Sequence, residues 1–377
     1  MDPFPEVKAD VFLPSSEDAA DLCTPALVID LPTVRHNIAR VMEAIGDPAC
    51  WRPHIKTTKL PEVWSLLIEA GIERFKCATT RELEALLVIA PDVDVLLAHH
   101  PAPAALRRVG ELAASYPAAR ISVLVEDERG AAELPPNVGA FVDINPGMNR
   151  TGIPLQQPEK IMMTALACGE HLRGIHFYDG HIRDGSEEAR RERAHANYDE
   201  LLQIDATLGG TDEIITSGTT TFLHALTHAR LVGTMRHAVS PGTVVFHDAI
   251  SQRMPEVARL GLEPAAAVLA HVVSRPADDL FTLDAGNKSI ASDAGDPCCV
   301  LLGHPNYVPL HPSEEHLPVR ILKGETPERG DLLVLIPEHV CPTVNLARFA
   351  ILRDEGRVAI AKVVAAGHNA PLPTAAV

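Results

Sequence analysis

The stretch WRPHIK, residues 51–56, is the first of a series of short apolar runs that decides the fold. Between residues 31 and 243 these runs alternate with longer amphipathic segments, which is the rhythm of β/α units around a parallel sheet. The runs are WRPHIK, RFKCA, VDVLLA, RISVLV, AFVDI, RGIHFY, DEIIT and RHAVSPG. Eight such runs predict an α/β protein built on a (β/α)8 barrel of the TIM type over residues 31–243.

The pattern changes after residue 243. The runs AAAVLAHVVSRP, DLFTLDAG, HLPVRIL, GDLLVLIP and RVAIAKVVAAG are separated by Pro, Gly and Asp, as short strands are. The early run PALVID could belong to either part of the chain. We assign it to the second part, which gives a mainly-β domain over residues 1–30 and 244–377.

Composition narrows the class of protein. Of the 377 residues, 46% are hydrophobic and 22% are charged, which are globular values. The 33 basic and 50 acidic residues give 33 − 50 = −17, a charge that repels nucleic acid and anionic membranes. The seven cysteines include no CxxC pair, and the start MDPFPEVKAD does not resemble a signal segment. We therefore expect a cytoplasmic protein without a nucleic-acid or membrane partner.

The cations of WRPHIK raise a question about the end of this run. If the run is a strand, period two places Arg52, His54 and Lys56 on one face. An ammonium group without a partner is costly to desolvate there, but a neutral amine or a Schiff base avoids that cost. Lys56 is therefore a candidate nucleophile. Ordinary solvated cations at a strand end fit the same residues, and the stretch alone leaves both interpretations open.

A family resemblance begins at this point. TPALVIDL (24–31) followed by RPHIKTTK (52–59) resembles the start of the fold-type III pyridoxal 5′-phosphate (PLP) enzymes. The resemblance is to the branch with D-threonine aldolases and D-serine dehydratases, whose N-terminal barrel is alanine racemase-like. It implies that Lys56, in a Pro-His-x-Lys motif, carries PLP covalently. His54 of the same motif joins the cofactor-binding candidates.

Further matches follow in the family's order. DINPGMNRTGI (143–153) resembles a racemase segment whose arginine contacts the phenolic oxygen of PLP, a role that falls on Arg150. GIHFYDGHI (174–182) places His176 and Tyr178 where the family has ring-flanking residues. TSGTTTF and SPGTVVF resemble the two phosphate loops, in which glycines expose backbone N–H groups. The implied phosphate-binding residues are Ser217, Gly218, Thr219, Gly242 and Thr243.

A second signal lies near the C-terminus. PEHVCPTVNL (337–346) places His339 and Cys341 two residues apart, and in an extended chain both side chains point to the same side. Imidazole and thiolate suit zinc, although a packed cysteine beside a hydrogen-bonded histidine fits the same spacing. The resemblance implies a divalent metal, Zn or Mn, on this pair.

The resemblance implies a PLP-dependent, metal-assisted lyase that acts on small β-hydroxy D-amino acids. Our first hypothesis is retro-aldol cleavage of the D-threonine aldolase type, giving glycine and an aldehyde, with His176 or a metal-bound water taking the hydroxyl proton. The alternative is a D-serine or D-3-hydroxyaspartate dehydratase that gives a keto acid and ammonia, with Lys56 as the base on the α-carbon. Cys341 favours dehydration, whereas VCPTVNL and LDAGNKS resemble the aldolases, so both stay open.

Two other activities fit less well. A racemase has an arginine where this chain has Ser240, and the four tyrosines offer no convincing second base. A non-catalytic PLP-binding protein would lack the C-terminal domain that the residues after 243 predict. By resemblance we expect a homodimer, with Lys288 or Arg183 as candidates for contacting the substrate carboxylate.

Overall fold

The computed structural model describes residues 3–14, 21–234 and 236–370. Its α-helices are α1 Leu31–Ile45, α2 Pro61–Glu69, α3 Thr80–Ile89, α4 Pro103–Ser115, α5 Glu128–Ala132, α6 Pro158–Cys168, α7 Glu187–Thr207, α8 Phe222–Thr227, α9 Ala249–Gln252, α10 Pro255–Ala258 and α11 Val340–Leu346. Its strands are β1 Ala26–Asp30, β2 Arg74–Cys77, β3 Asp94–Leu97, β4 Arg120–Val125, β5 Gly139–Asn145, β6 Ile153–Pro154, β7 Leu172–Phe177, β8 Glu213–Thr216, β9 His237–Val239, β10 Ala266–Ala277, β11 Leu280–Leu283, β12 Cys299–Leu301, β13 Tyr307–Pro309, β14 Leu317–Ile321, β15 Leu332–Pro337, β16 Phe349–Asp354 and β17 Arg357–Lys362. Short 3-10 helices span Ala9–Val11, Pro48–Cys50, Gly169–His171 and Thr243–Val245.

The chain divides into two compact units. The β unit holds the described residues of Met1–Val41, Thr57–Val63 and Thr243–Gly367. The α/β unit holds those of Met42–Lys56, Trp64–Gly242 and His368–Val377. In the described parts of both units, no helix is long and apolar enough to cross a membrane.

The α/β unit is built on one parallel sheet. Its strand order is β2-β3-β4-β5-β7-β8-β9, with β6 paired to β5. Seven of the predicted runs form these main strands, and helices connect successive strands, as the alternation of runs predicted. Leu96, Leu124, Phe141 and Ile215 come from four different strands and form one buried cluster, so the sheet curls around its own apolar face.

The run WRPHIK departs from the prediction, because it forms isolated bridges and not a regular strand. Trp51 bridges to Val239 of β9, and His54 bridges to Lys76 of β2. Pro53 has no N–H to donate, and the chain turns from residue 55 onward, so a regular ladder cannot continue. The segment still hydrogen-bonds to both edge strands, with Arg52 N donating to Val239 O at 2.9 Å and Lys76 N donating to Pro53 O at 3.0 Å.

Arg52 lies at the amino ends of the strands, with its side chain fully buried. Its Nε and Nη2 donate to the two carboxylate oxygens of Glu213 at 2.9 and 2.7 Å, and its Nη1 donates to Asp94 at 3.0 Å. Burial lowers the pKa of Arg52, but the charges of Glu213 and Asp94 outweigh burial and raise that pKa above its ordinary value. This cation of the opening stretch is thus a structural ion pair at the end of the sheet opposite to the expected chemistry.

We expect Arg52→Ala to lower the free energy of unfolding by about 3–5 kcal/mol. The buried carboxylate of Glu213 and the half-buried one of Asp94 would lose their buried counter-charge and keep only longer contacts with Arg74, at 3.3 Å, and Arg120, at 3.7 Å. Arg35→Ala is the matched control, because its bidentate pair with Asp354, at 2.6 and 3.0 Å, is exposed to solvent. It should cost less than about 1 kcal/mol. Urea denaturation followed by circular dichroism measures both, and equal losses would contradict the structural role of Arg52.

The β unit contains the second sheet, in the order β13-β14-β11-β10-β1-β16-β17, with β15 pairing to β10 and β12 to β15. Its pairings are antiparallel except for that of β1 with β16. The predicted runs after residue 243 form β10, β11, β14, β15 and β17, and PALVID forms β1. The mainly-β character of this part of the chain is therefore confirmed, with β12, β13 and β16 and the short helices α9, α10 and α11 added.

Candidate active site

Lys56 lies at the end of the segment that bridges the edges of the parallel sheet. The segment turns at residues 55–58, just after His54 bridges to Lys76 near the carboxyl end of β2. The backbone N–H of Lys56 points at Nδ1 of His54, at 3.4 Å. Both side chains are half-buried. The fold therefore brings Lys56 to the edge of the sheet where a parallel α/β protein carries its chemistry.

A second lysine, Lys76, shares this site, and the sequence reasoning missed it. Its side chain is buried, and its Nζ lies 3.3 Å from Nε2 of His176 and 5.7 Å from the centre of the Tyr178 ring. Burial and then the charge of Lys56 lower the pKa of Lys76 to about 7. The signal was present in RFKCA, because a lysine in the middle of a buried run needs a reason.

His176 connects this lysine to a carboxylate. Its Nδ1 lies 2.7 Å from Oδ1 of Asp143, and both side chains are buried. Burial raises the pKa of Asp143, but the hydrogen bond to His176 outweighs it and lowers that pKa. The pKa of His176 is itself lowered, by burial and by the charge of Lys76. We assign the proton of the neutral imidazole to Nδ1, so that Nε2 accepts from Lys76.

Tyr178 and Arg150, two of the predicted cofactor-binding residues, contact each other. The Arg150 guanidinium lies 5.2 Å from the centre of the Tyr178 ring, within cation–π range. The ring fits because its neighbour is a glycine: a Cβ on Gly218 would lie 2.7 Å from Cε2 of Tyr178. The loop before Arg150 is held by Asn145, whose Oδ1 accepts from the backbone N of Gly147 at 2.9 Å.

The two predicted phosphate loops contain hydroxyls without partners. Ser240 Oγ and Thr220 Oγ1 are buried and have no hydrogen-bond partner among the described residues. Ser217 adopts a positive φ of 54°, and a Cβ on Gly242 would lie 2.3 Å from the carbonyl oxygen of His54. Close-fitting glycines together with unpaired hydroxyl donors are what a phosphorylated ligand requires, so these residues fit PLP.

Thr219 and Thr243 complete the predicted phosphate set. Thr219 is half-buried in the first loop. Thr243 opens the 3-10 helix Thr243–Val245 in the β unit, where its Oγ1 lies 3.4 Å from Sγ of Cys341.

The candidate metal pair does not lie on an extended chain. His339 has extended backbone and precedes α11, whereas Cys341 lies in the first turn of that helix. The pair still interacts: burial lowers the pKa of His339, but hydrogen bonds with Cys341 and Asp293 raise it to about 9. Thr57, the residue after Lys56, has its Oγ1 3.0 Å from Sγ of Cys341.

Asp293 supports a ligand role for His339. Its Oδ2 lies 2.7 Å from Nδ1 of His339, which leaves Nε2 to face an ion. Such a carboxylate behind the imidazole is typical of metal-binding histidines. The donor set of imidazole and thiol suits zinc, although the described residues contain no cluster of three or more His, Cys, Asp or Glu side chains arranged for a metal.

The two candidates for contacting the substrate carboxylate differ in their surroundings. Lys288 is exposed and pairs with Glu314 and Glu315 at 3.0 and 3.1 Å. The Nε of Arg183 donates to the carbonyl oxygen of Gly180 at 2.9 Å. The ammonium group of Lys288 is therefore already paired with two carboxylates.

Comparisons with known proteins identify the family of this chain. Residues 29–250 match the family model described as alanine racemase, N-terminal domain. Residues 265–352 match the model described as putative serine dehydratase domain. The chain therefore belongs to the alanine racemase-like family of fold-type III PLP-dependent enzymes, as its motifs indicated.

Individual relatives cover most of the chain. It is 28% identical to a D-threonine aldolase of Arthrobacter sp over 369 residues, 89% of this chain and 90% of the relative. It is 26% identical to a D-threo-3-hydroxyaspartate dehydratase of Delftia sp. (strain HT23) over 376 residues, 89% of this chain and 96% of the relative. The crystal structure of D-threonine aldolase from Filomicrobium marinum superimposes with a TM-score of 0.81 at 26% identity, covering 92% of this chain and 96% of that one.

Removing an unpaired hydroxyl from the predicted phosphate loops should raise stability but weaken cofactor binding. Ser240→Ala should stabilise the cofactor-free protein by about 1 kcal/mol, because it removes a buried unsatisfied group, and should weaken PLP binding by about fivefold. Thr164→Val is the control, because Thr164 Oγ1 is equally buried and unpaired but lies on α6. It should stabilise the protein without changing PLP affinity. Thermal unfolding measures the stability of each variant, and PLP titration measures its affinity for the cofactor. An unchanged affinity in Ser240→Ala would show that this hydroxyl does not contact PLP.

Proposed function

We propose that this chain is a PLP-dependent, metal-assisted lyase that cleaves β-hydroxy D-amino acids, most closely in the manner of a D-threonine aldolase. The observation that carries the proposal is Lys56 beside the buried line Lys76–His176–Asp143, in a site whose two loops hold unpaired hydroxyls. Membership of the PLP family and the aldolase relatives point the same way.

The residues of the α/β unit have separate tasks in this proposal. Lys56 binds the aldehyde carbon of PLP, and Arg150 holds its phenolic oxygen. Tyr178 and His54 flank the ring. When bound, PLP spreads the negative charge that develops on the amino acid beside its amine. The proposed phosphate contacts are Ser217, Gly218, Thr219, Gly242 and Thr243.

The reaction begins by removing the hydroxyl proton, which an acid–base group must accept. His176 is the proposed base of the α/β unit. Its Nδ1–H is held by Asp143, so Nε2 is the only ring nitrogen with a lone pair to offer. That lone pair already accepts from Lys76, so His176 and Lys76 move protons as one unit.

A divalent metal, Zn or Mn, is the second proposed component, held by His339 and Cys341 with Asp293 orienting the imidazole. The thiol at position 341 also favours the alternative reaction. A dehydratase would remove the α-proton with Lys56 and expel the β-hydroxyl, giving a keto acid and ammonia. The dehydratase of Delftia sp. among the relatives keeps this alternative in place.

Other predictions remain proposals. We propose that residues 51–56 complete the curled parallel sheet as a closed eight-membered barrel. We assign the cofactor to residues 31–243 and the metal to a domain of residues 1–30 and 244–377. A cytoplasmic homodimer is the expected form.

The cofactor assignment predicts a visible absorption band that borohydride removes by fixing PLP to one lysine. Lys56→Ala should lose both the band and the fixed cofactor, because no other residue is assigned to bind the aldehyde. Lys59→Ala is the matched control, because the Lys59 amine donates to the carbonyl oxygen of Ala365 at 3.2 Å and has no assigned role. Absorbance and peptide mass spectrometry report the result, and a band that persists in Lys56→Ala would end the proposal.

The reaction is identified by its products. We expect acetaldehyde and glycine from D-threonine, no turnover of L-threonine, and loss of activity with a chelator. Cys341→Ala should lower bound metal and activity together, whereas Cys168→Ala, which alters another buried cysteine, should lower neither. Ammonia and 2-oxobutanoate from D-threonine would select the dehydratase instead, and full activity in chelator would exclude a role for the metal pair.

A further inference from the structure

Lys76 has no role in the proposed cofactor set, yet its position is costly. Its side chain is buried in β2, where an unpaired ammonium would lose its hydration without compensation. Its hydrogen-bond partner is the neutral ring nitrogen Nε2 of His176. The carboxylate of Asp143 contacts the other ring nitrogen of His176 and does not contact the lysine directly. The ionisable groups that face or adjoin it are Lys56, Arg52, Arg150, Asp143, Asp179, His176, His54 and Tyr178.

Cations dominate these surroundings. Lys56, Arg52 and Arg150 all disfavour the charged form of Lys76, and Asp143 opposes them. Asp179 is a second acidic group in these surroundings, and burial raises its pKa to about 6, so its negative charge is lost only as the pH falls below that value. Burial and these cations therefore favour the neutral form of the Lys76 amine.

The hydrogen bonds also orient Lys76. Asp143 fixes the proton of His176 on Nδ1, so Nε2 accepts one N–H of the lysine. The amine is thereby held in place while its remaining valences stay available. This is the arrangement of a base that is oriented by a histidine and a carboxylate.

We propose that Lys76 is the proton partner of Lys56, positioned by His176 and Asp143. The step transfers one proton from the ammonium of Lys76 to the neutral amine of Lys56, or back, so that one amine is charged and the other neutral before and after. The total charge of the two amines does not change, and the transfer to Lys56 moves the charge from a buried to a half-buried side chain. The inference rests on the proposed function, since it acts through the lysine that binds PLP.

The first test uses the cofactor-free protein and NMR of 13Cε-labelled lysine. Among the eight lysines, one resonance should titrate near pH 7 and should vanish in Lys76→Gln. Glutamine keeps a donor for His176 but carries no titrating proton, so the fold is retained. Lys59→Met should leave the resonance in place, and Asp143→Asn should move its midpoint to lower pH by removing a favourable negative charge.

The second test follows the loaded enzyme across pH. In Lys76→Gln, kcat should fall by about 100-fold with little change in KM, and its dependence on pH around 7 should be lost. Borohydride should still fix PLP to Lys56 in this variant, which separates the inference from the proposed function. Lys59→Met should keep the wild-type pH profile.

Each outcome decides the matter. No lysine resonance titrating near pH 7, or a pH profile that Lys76→Gln leaves unchanged, would overturn the inference and make Lys76 a packing residue. A wild-type protein that fixes no PLP on Lys56 would overturn the proposed function itself, and with it the inference. A lost resonance combined with a lost pH limb supports the proton partnership.

Discussion

Desolvation of positive charge is the constraint on which this structure depends. The parallel sheet buries both an arginine and a lysine, and the two side chains meet the constraint in different ways. Arg52 cannot release its proton, so it requires the carboxylates of Glu213 and Asp94. Lys76 can release its proton, so it requires only an acceptor, His176. The cost of desolvating positive charge is therefore met by a buried ion pair at the amino ends of the strands. At the carboxyl ends it is met by an amine whose pKa is lowered.

The alternation of apolar runs predicted the parallel sheet because each run contains most of the information for its own strand. It could not predict that WRPHIK would pair as isolated bridges, since that depends on the missing N–H of Pro53 and on the turn after His54. The strands β12 and β13 have three residues each, too few for a periodic signal. The parallel pairing of β16 with β1 joins distant parts of the chain, and such pairing leaves no local pattern.

A short motif could single out individual candidate residues, but it could not show which side chains the strands bring together. Lys56, Arg150 and Tyr178 follow from short motifs that keep the family's order. The line from Lys76 to Asp143 arises only because β2, β5 and β7 bring three ordinary residues together across the curled sheet. The extended chain assumed at residues 339–341 was wrong because α11 begins at Val340.

On the proposed function, the two competing reactions make the same demand on the α/β unit. Retro-aldol cleavage and dehydration each take a proton from one atom of the amino acid and return one to another. On our inference that Lys76 exchanges a proton with Lys56, the two amines can serve either sequence, because the pair can both accept and donate a proton. The sheet interior therefore does not select which bond breaks. On the same proposal, selection falls to the group that polarises the β-hydroxyl, which would be a metal held by His339 and Cys341.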